Sequence, residues 1–271
     1  MKYLDKRMET FRNMKLNLSG QVGIITGAAS GIGKEIALRL AKDGASIILA
    51  DINYDGLTEV LEHIKKEGEN HIAVKTDVSI DKDVKNLISE GIKKFGKIDF
   101  LFSNAGIVGP YDFDDTSAGD WDKVFDINVK GMFLCSKYVI PYMKDRKYGR
   151  IIYTASTNAD KPGGYVIAYR ASKAAVVMLA RSLALYAAPY NITINAVCPG
   201  VVLTQIEQNM IKEMIKDKNI KFEEYIENRA KRIPMGRFTK EKDIADIAEF
   251  LVSDNASFIT GQSIFVNGGE W

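Results

Sequence analysis

Thr26-Gly27-Ala28-Ala29-Ser30-Gly31-Ile32-Gly33 is the stretch whose reading decides the fold. It follows the apolar run Val22-Gly23-Ile24-Ile25 and precedes a helical pattern in which Ile32, Ile36, Ala37 and Leu40 share one face. A second apolar run, Ile47-Ile48-Leu49-Ala50, ends at Asp51, twenty-four residues after Gly27. Strand, glycine-rich turn, helix, strand and acid is the order in which a chain cradles a dinucleotide. Gly27, Gly31 and Gly33 admit backbone angles that a side chain forbids and let a pyrophosphate come close. The helix start, from Ser30 through Ile32, offers free N–H groups to that anion. Asp51 is placed to accept from the adenosine ribose hydroxyls. Its charge opposes a 2′-phosphate, and Ser30 is neutral where a basic residue would meet one. The reading therefore favours NAD over NADP.

The chain has 271 residues, enough for a sizeable core in one large α/β domain. Thirty-seven basic residues stand against thirty-five acidic ones, a formal +2. That balance gives no electrostatic footprint for nucleic acid or a membrane surface. No long apolar run reads as a membrane span. The charged start, residues 1–15, lacks the apolar core of a secretory signal. A cytoplasmic location is expected, with an N-terminal extension over 1–19 and a single domain over 20–271. Cys135 and Cys198 stand in apolar surroundings and read as buried fillers rather than a disulfide or a metal pair. His63 and His71 have no Cys or acidic cluster beside them at ligand spacing, so no metal site is expected.

From residue 21 onward apolar runs alternate with helical patterns. Strands are expected at 22–26, 46–50, 72–76, 98–103, 150–154, 191–197 and 263–266, and helices at 34–43, 57–67 and 81–95, the last capped by Ser79 or Asp81. Such alternation predicts an α/β fold: a single-domain Rossmann arrangement, with a seven-stranded parallel sheet, helices on both faces and right-handed crossovers. Residues 205–232 break the rhythm with seven basic and six acidic residues around Ile206, Met210, Met214, Phe222 and Tyr225. They read as two short amphipathic helices, a solvated excursion or a lid over the carboxyl ends of the strands, where open sheets bind ligands.

Tyr169 and Lys173 lie four apart at a helix start, on one face. A tyrosine titrating near 10 is a poor base at neutral pH, and a nearby ammonium lowers that value. Such a pair can pass a proton to or from an alcohol or carbonyl. Ser156, thirteen residues before Tyr169 and just past a strand, can hydrogen-bond the same oxygen.

With these residues the chain resembles the classical short-chain dehydrogenase/reductase family over nearly its whole length. The matching runs are the turn from Thr26 to Gly33, Asp77-Val78, Asn104-Ala105-Gly106, Asn128, Ser156, Tyr169 to Lys173, Pro199-Gly200 and the closing stretch from Gly261 to Gly269. The resemblance implies Tyr169 as acid/base, Ser156 positioning the reacting oxygen, and Lys173 tuning Tyr169 and binding the nicotinamide ribose. It implies that Asn128 holds a water of a proton relay and that Asp77 and Val78 contact adenine. Asn104, Ala105 and Gly106 would line the cofactor's path, with Pro199, Gly200 and Thr204 beside the nicotinamide. It also implies a homotetramer, with contacts through the helices around residues 128–142 and 168–186 and a tail whose Trp271 touches a neighbour's pocket. Ser103, Tyr153 and Arg170 depart from the family's usual residues without removing a catalytic group. Arg170 either faces away from the pocket or meets an acidic neighbour across a subunit contact.

The implied reaction is interconversion of a secondary alcohol and a ketone on a small molecule. Candidate pocket residues lie at 108–113, 157–166 and 205–232, among them Tyr111, Phe113, Tyr165, Asn158, Asp160, Lys161, Gln205, Glu207 and Asn209. The polar groups and the overall arrangement resemble family members acting on sugars, polyols or small diols and acyloins. A steroid or bile-acid alcohol against the aromatics is the alternative. Further alternatives are a 3-oxoacyl thioester reductase, which Asp51 disfavours, an epimerase or dehydratase that keeps its NAD, and a catalytically silent NAD-binding regulator.

Overall fold

Residues alternate between two apolar clusters along each central strand, and this alternation stacks helices on both sides of one sheet. The computed structural model describes residues 16–68, 70–216 and 220–270. Most of the expected N-terminal extension and Trp271 therefore lie outside the described residues. Strands β1 (Val22–Thr26), β2 (Ser46–Asp51), β3 (Ile72–Lys75), β4 (Phe100–Ser103), β5 (Gly149–Thr154), β6 (Ile192–Pro199) and β7 (Ser263–Val266) pair in the order β3-β2-β1-β4-β5-β6-β7. Every pairing is parallel.

On one face α3 (Asp81–Phe95), α5 (Gly131–Arg146) and α6 (Ile167–Ala187) cover Ile24, Leu101, Ile151, Tyr153 and Ile194. On the other, α1 (Gly31–Lys42), α2 (Tyr54–Ile64) and α9 (Glu241–Val252) cover Ile25, Phe100, Phe102, Ile152 and Val197. Cys135 packs in the first cluster and so does Cys198; both are free and buried. Burial pushes the Cys135 thiol up to about 12 and the Cys198 thiol to about 11. The segment Ile167–Tyr190 is long and apolar enough by length and composition to cross a membrane. Its Ala168, Lys173, Val176, Ala180 and Ala184 are buried within the domain.

The element boundaries differ from expectation where local contacts override pattern. Ile98 and Asp99 precede β4 instead of opening it: Asp99 Oδ2 accepts from Val22 N at 2.8 Å while Lys97 and Arg146 pair with the same carboxylate. Asn191 stays outside β6 because it is left-handed, at φ +57°. Helix α1 begins three residues earlier than its apolar pattern, at Gly31. Helix α2 starts at Tyr54 on a cap from Asn53. Neither Ser79 nor Asp81 caps α3; Ile80 is its N-cap, and the Ser79 hydroxyl donates to Asp77 instead.

Gly23 shows how tightly β1 and β4 are fitted. A Cβ there would stand 1.7 Å from the Phe100 ring. Gly23→Ala is expected to destabilise the protein by about 1–3 kcal/mol through overpacking. Adding Phe100→Leu should recover part of that loss in urea denaturation.

Candidate functional site

The ends of β1, β4 and β5 and the starts of α1 and α6 converge at the carboxyl edge of the sheet, where the strand order reverses between β1 and β4. In the turn after β1, Gly27 and Gly31 have φ of +66° and +52°, and a Cβ on Gly33 would lie 2.1 Å from the Gly27 carbonyl oxygen. Only glycine closes the turn onto α1 this tightly. Ser30 makes no side-chain cap, so the first N–H groups of α1 remain available to an external anion. At the end of β2, Asp51 Oδ2 accepts from Ala29 N at 3.2 Å and Oδ1 from Asn53 N at 2.9 Å. A fixed carboxylate at one end and an uncapped helix start beside it fit the ribose and diphosphate of a dinucleotide.

Asn104 ties three strand ends together. Its N–H and that of Ala105 donate to Thr26 Oγ1 at 2.9 and 3.1 Å. Its Nδ2 donates to the Thr26 and Gly27 carbonyls at 3.3 and 3.4 Å, and its Oδ1 accepts from Thr154 Oγ1 at 2.9 Å. The Thr154 carbonyl in turn accepts from Lys173 Nζ at 2.7 Å. Asn128 sits in a π-helical turn, Asp126–Lys130, between α4 (Ala118–Phe125) and α5. Its Oδ1 accepts from Ile107 N at 2.8 Å, and its Nδ2 donates to Ile107 O at 2.9 Å and Ser172 Oγ at 3.0 Å. The Asn128 side chain thus fastens the loop after β4. A Cβ on Gly106 would come within 3.1 Å of Asn128 Oδ1 and 3.5 Å of Lys173 Nζ.

Tyr169 rises from the first turn of α6, just after Val166, whose φ of +46° is strained for a β-branched residue. Val166 is buried and its N–H donates to Tyr111 O at 2.8 Å, contacts that hold it there. The Tyr169 phenol hydrogen-bonds Ser156. Burial pushes that phenol up to about 12 against the lowering by Ser156, and the Glu207 charge raises it further. Lys173 Nζ lies over the Tyr169 ring, 5.5 Å from its centroid, and donates to Thr154 O. Lys173 is itself pulled down to about 8 by burial.

One cavity of about 590 Å³ joins these parts. Gly27, Ser30, Gly31, Ile32, Asp51, Asp77, Val78, Asn104, Ala105, Gly106, Ser156, Tyr169, Pro199, Gly200 and Thr204 line it. Gly33, Asn128 and Lys173 stand behind its wall. Asp77 shapes that wall by accepting from Ser79 N and Oγ at 2.9 and 2.6 Å. Arg170 faces the cavity: its guanidinium donates to the carbonyls of Lys161 and Tyr165, pinning the loop before α6. Tyr153 turns away, bonding Ser136 in the core, and Ser103 bonds Cys135. The aromatics named as pocket candidates are not on the wall. Tyr111 and Tyr165 stack on each other at 4.8 Å, and Phe113 is exposed.

Residues 205–232 hold two helices over the cavity, α7 (Gln205–Ile215) and α8 (Phe222–Lys231). They bring Gln205, Glu207, Met210 and Arg229 to its wall, where Glu270 joins them. Arg229 pairs with Glu270. Burial pushes the Glu207 carboxyl up to about 7, against the pull of Arg229. Sequence reasoning named Glu207 only as one polar candidate among several.

A family model described as enoyl-(acyl carrier protein) reductase matches residues 27–270. An uncharacterised oxidoreductase of Thermotoga maritima is 39% identical over 256 residues, 94% of this chain and 99% of its own. Among solved structures, an NAD+-bound xylitol dehydrogenase is 32% identical with a TM-score of 0.88, covering 93% of this chain and 99% of its own. A 7α-hydroxysteroid dehydrogenase complexed with NADH and 7-oxo glycochenodeoxycholic acid is 34% identical with a TM-score of 0.84, covering 94% and 96%. The chain belongs to the short-chain dehydrogenase/reductase family of oxidoreductases, whose fold acts on CH–OH and C=O groups.

The raised Glu207 value fixes a sign for stability. Below its ordinary value of 4.5 the carboxyl is protonated in both folded and unfolded chains and burial costs little. As pH rises through about 7 the folded protein must ionise a buried group, and stability is lost. Glu207→Gln should leave thermal stability unchanged at pH 4 and raise it at pH 8, by up to ~3 kcal/mol in denaturant titrations.

Proposed function

We propose that the protein interconverts a secondary alcohol and a ketone on a sugar, polyol or small diol or acyloin, with NAD as cofactor. The observation that carries this reading is the single cavity running from Asp51, past the uncapped start of α1, to Ser156 and Tyr169, with Asn158, Gln205 and Glu207 on its wall. A substrate bearing several hydroxyls can hydrogen-bond such polar wall groups, which an apolar one would leave unmatched. The xylitol dehydrogenase relative supports the same class. The hydroxysteroid relative favours a bile-acid alcohol instead. Against it, the Tyr111 and Tyr165 rings stack on each other, so one face of each is already taken.

In this reading the start of α1 at Gly31 and Ile32 holds the diphosphate, Asp51 the adenosine ribose, and Asp77 and Val78 the adenine. Bound nicotinamide supplies the hydride acceptor. During oxidation Tyr169 removes the hydroxyl proton; during reduction it returns that proton. Ser156 hydrogen-bonds the same oxygen, where charge develops, so its fixed position helps more in the transition state than in the ground state. A phenol pushed up to about 12 stays protonated at neutral pH, which suits it as the acid of the reductive direction. The exposed Met178, Leu185 and Tyr186 on α6 support a homotetramer through that helix.

NADH formation across polyols, vicinal diols, sugars, steroid alcohols and 3-hydroxyacyl compounds, each with NAD and NADP, tests the reading. Turnover of polyols or diols with NAD is expected; activity confined to steroids or thioesters overturns the substrate class, and a preference for NADP overturns the cofactor. Tyr169→Phe should lower turnover by ~10²- to 10⁴-fold while NAD still binds in fluorescence titration. In the wild type, oxidation should accelerate with pH by about tenfold per unit while the phenolate remains scarce, and reduction should not.

A further inference from the structure

Glu207 departs from the role its sequence position predicts. Thr204 caps α7, accepting from Glu207 N at 3.4 Å, and Glu207 stands at the position where a capping-box glutamate reaches back to the cap's own N–H. At α4 the chain completes that reciprocal pair with Ser117 and Asp120. At α7 it does not: Thr204 N donates to Val202 O at 2.7 Å, and the Glu207 side chain lines the cavity. The carboxylate has therefore forgone the bond that would explain it as a helix-end residue.

Two of the cations around Glu207 already hold other partners. Arg229, whose charge acts on Glu207, forms its ion pair with Glu270. Arg170 is bound to two backbone carbonyls, and Lys161 is exposed. Among the described residues nothing donates a hydrogen bond to the Glu207 carboxyl. Glu207 and Tyr169 line the same cavity, so the carboxyl shares the space of the reacting oxygen. A carboxylate with no protein donor is open to a hydrogen bond from a ligand. The ligand group that fits is a hydroxyl, which donates to a carboxylate and adds no charge to a wall where Glu207 and Glu270 already stand with Lys161, Arg170 and Arg229.

We propose that Glu207 is a specificity-determining residue that accepts a hydrogen bond from a second hydroxyl of the substrate, selecting polyols and diols over monohydric alcohols. This inference rests on the polyol reading above and names the residue that imposes it. The Glu207→Gln variant keeps an acceptor oxygen, whereas Glu207→Ala removes it.

The test compares wild type, Glu207→Gln and Glu207→Ala on xylitol and 2,3-butanediol against 2-butanol and cyclohexanol, with NAD. Binding of each polyol to the NAD-loaded proteins is measured separately by calorimetry. Glu207→Ala should raise KM and Kd for the diol and polyol ~10- to 100-fold, the range of a hydrogen bond to a charged group. The monohydric alcohols should keep their KM, and Glu207→Gln should recover part of the polyol affinity. Equal losses on both alcohol classes, or no loss on either, overturn the role of Glu207 and leave the polyol reading standing. A wild-type protein that oxidises only the monohydric alcohols overturns both.

Discussion

The hydrogen bonds of Asn104 are the constraint on which the site depends. A parallel sheet leaves its strand ends to separate loops, and nothing in the ladder fixes one loop against the next. Here Asn104 joins the glycine turn at Thr26 and Gly27 to Thr154 at the end of β5. Thr154 then holds Lys173 through its carbonyl. A continuous polar chain therefore runs from the turn that would meet a diphosphate to the lysine beside Tyr169. Because its members are largely buried, each lost bond leaves a group unmatched, which makes the geometry hard to deform. Asn128 fastens the adjoining loop to Ser172 on α6 in the same way.

The architecture was legible wherever the information was local. The apolar runs of β1 and β2, the glycines between them and Asp51 form one contiguous unit, and their reading needed no distant contact. Tyr169 and Lys173 were legible for the same reason, since four residues on a helix define a face. The features that escaped depend on residues far apart in the chain. Tyr111 and Tyr165 look like pocket aromatics in sequence, but their stacking is decided by a loop fifty residues away. The bond from Lys173 to a carbonyl on β5 likewise joins residues far apart in the chain. Thr204 and Glu207 carry the local pattern of a cap, and only the cavity beside them reveals why it is left half made. No sequence rule places valine in a left-handed conformation, so Val166 was invisible until its burial and its bond to Tyr111 were seen.

The cavity also divides its work between rigid and less regular parts. The dinucleotide end is built from strand termini and the start of α1, positions fixed by the sheet. The opposite wall comes from α7, α8 and Glu270, which lie outside the sheet and are joined by the Arg229–Glu270 pair. Ser156 and Tyr169 belong to β5's end and to α6, and what reaches them from residues 205–232 is the charge of Glu207, which raises the Tyr169 phenol.

The two cysteines carry a different kind of information. Cys135 lies in α5 and Cys198 in β6, and in both the thiol is shut away and protonated at neutral pH. The folded enzyme thus offers no thiolate to an alkylating reagent. Reaction at either sulfur requires the surrounding structure to open first. The pair makes the protein its own clock for breathing: one thiol reports on the helical layer and the other on the strand just beneath Ser156, so their relative labelling rates would say which of the two loosens first.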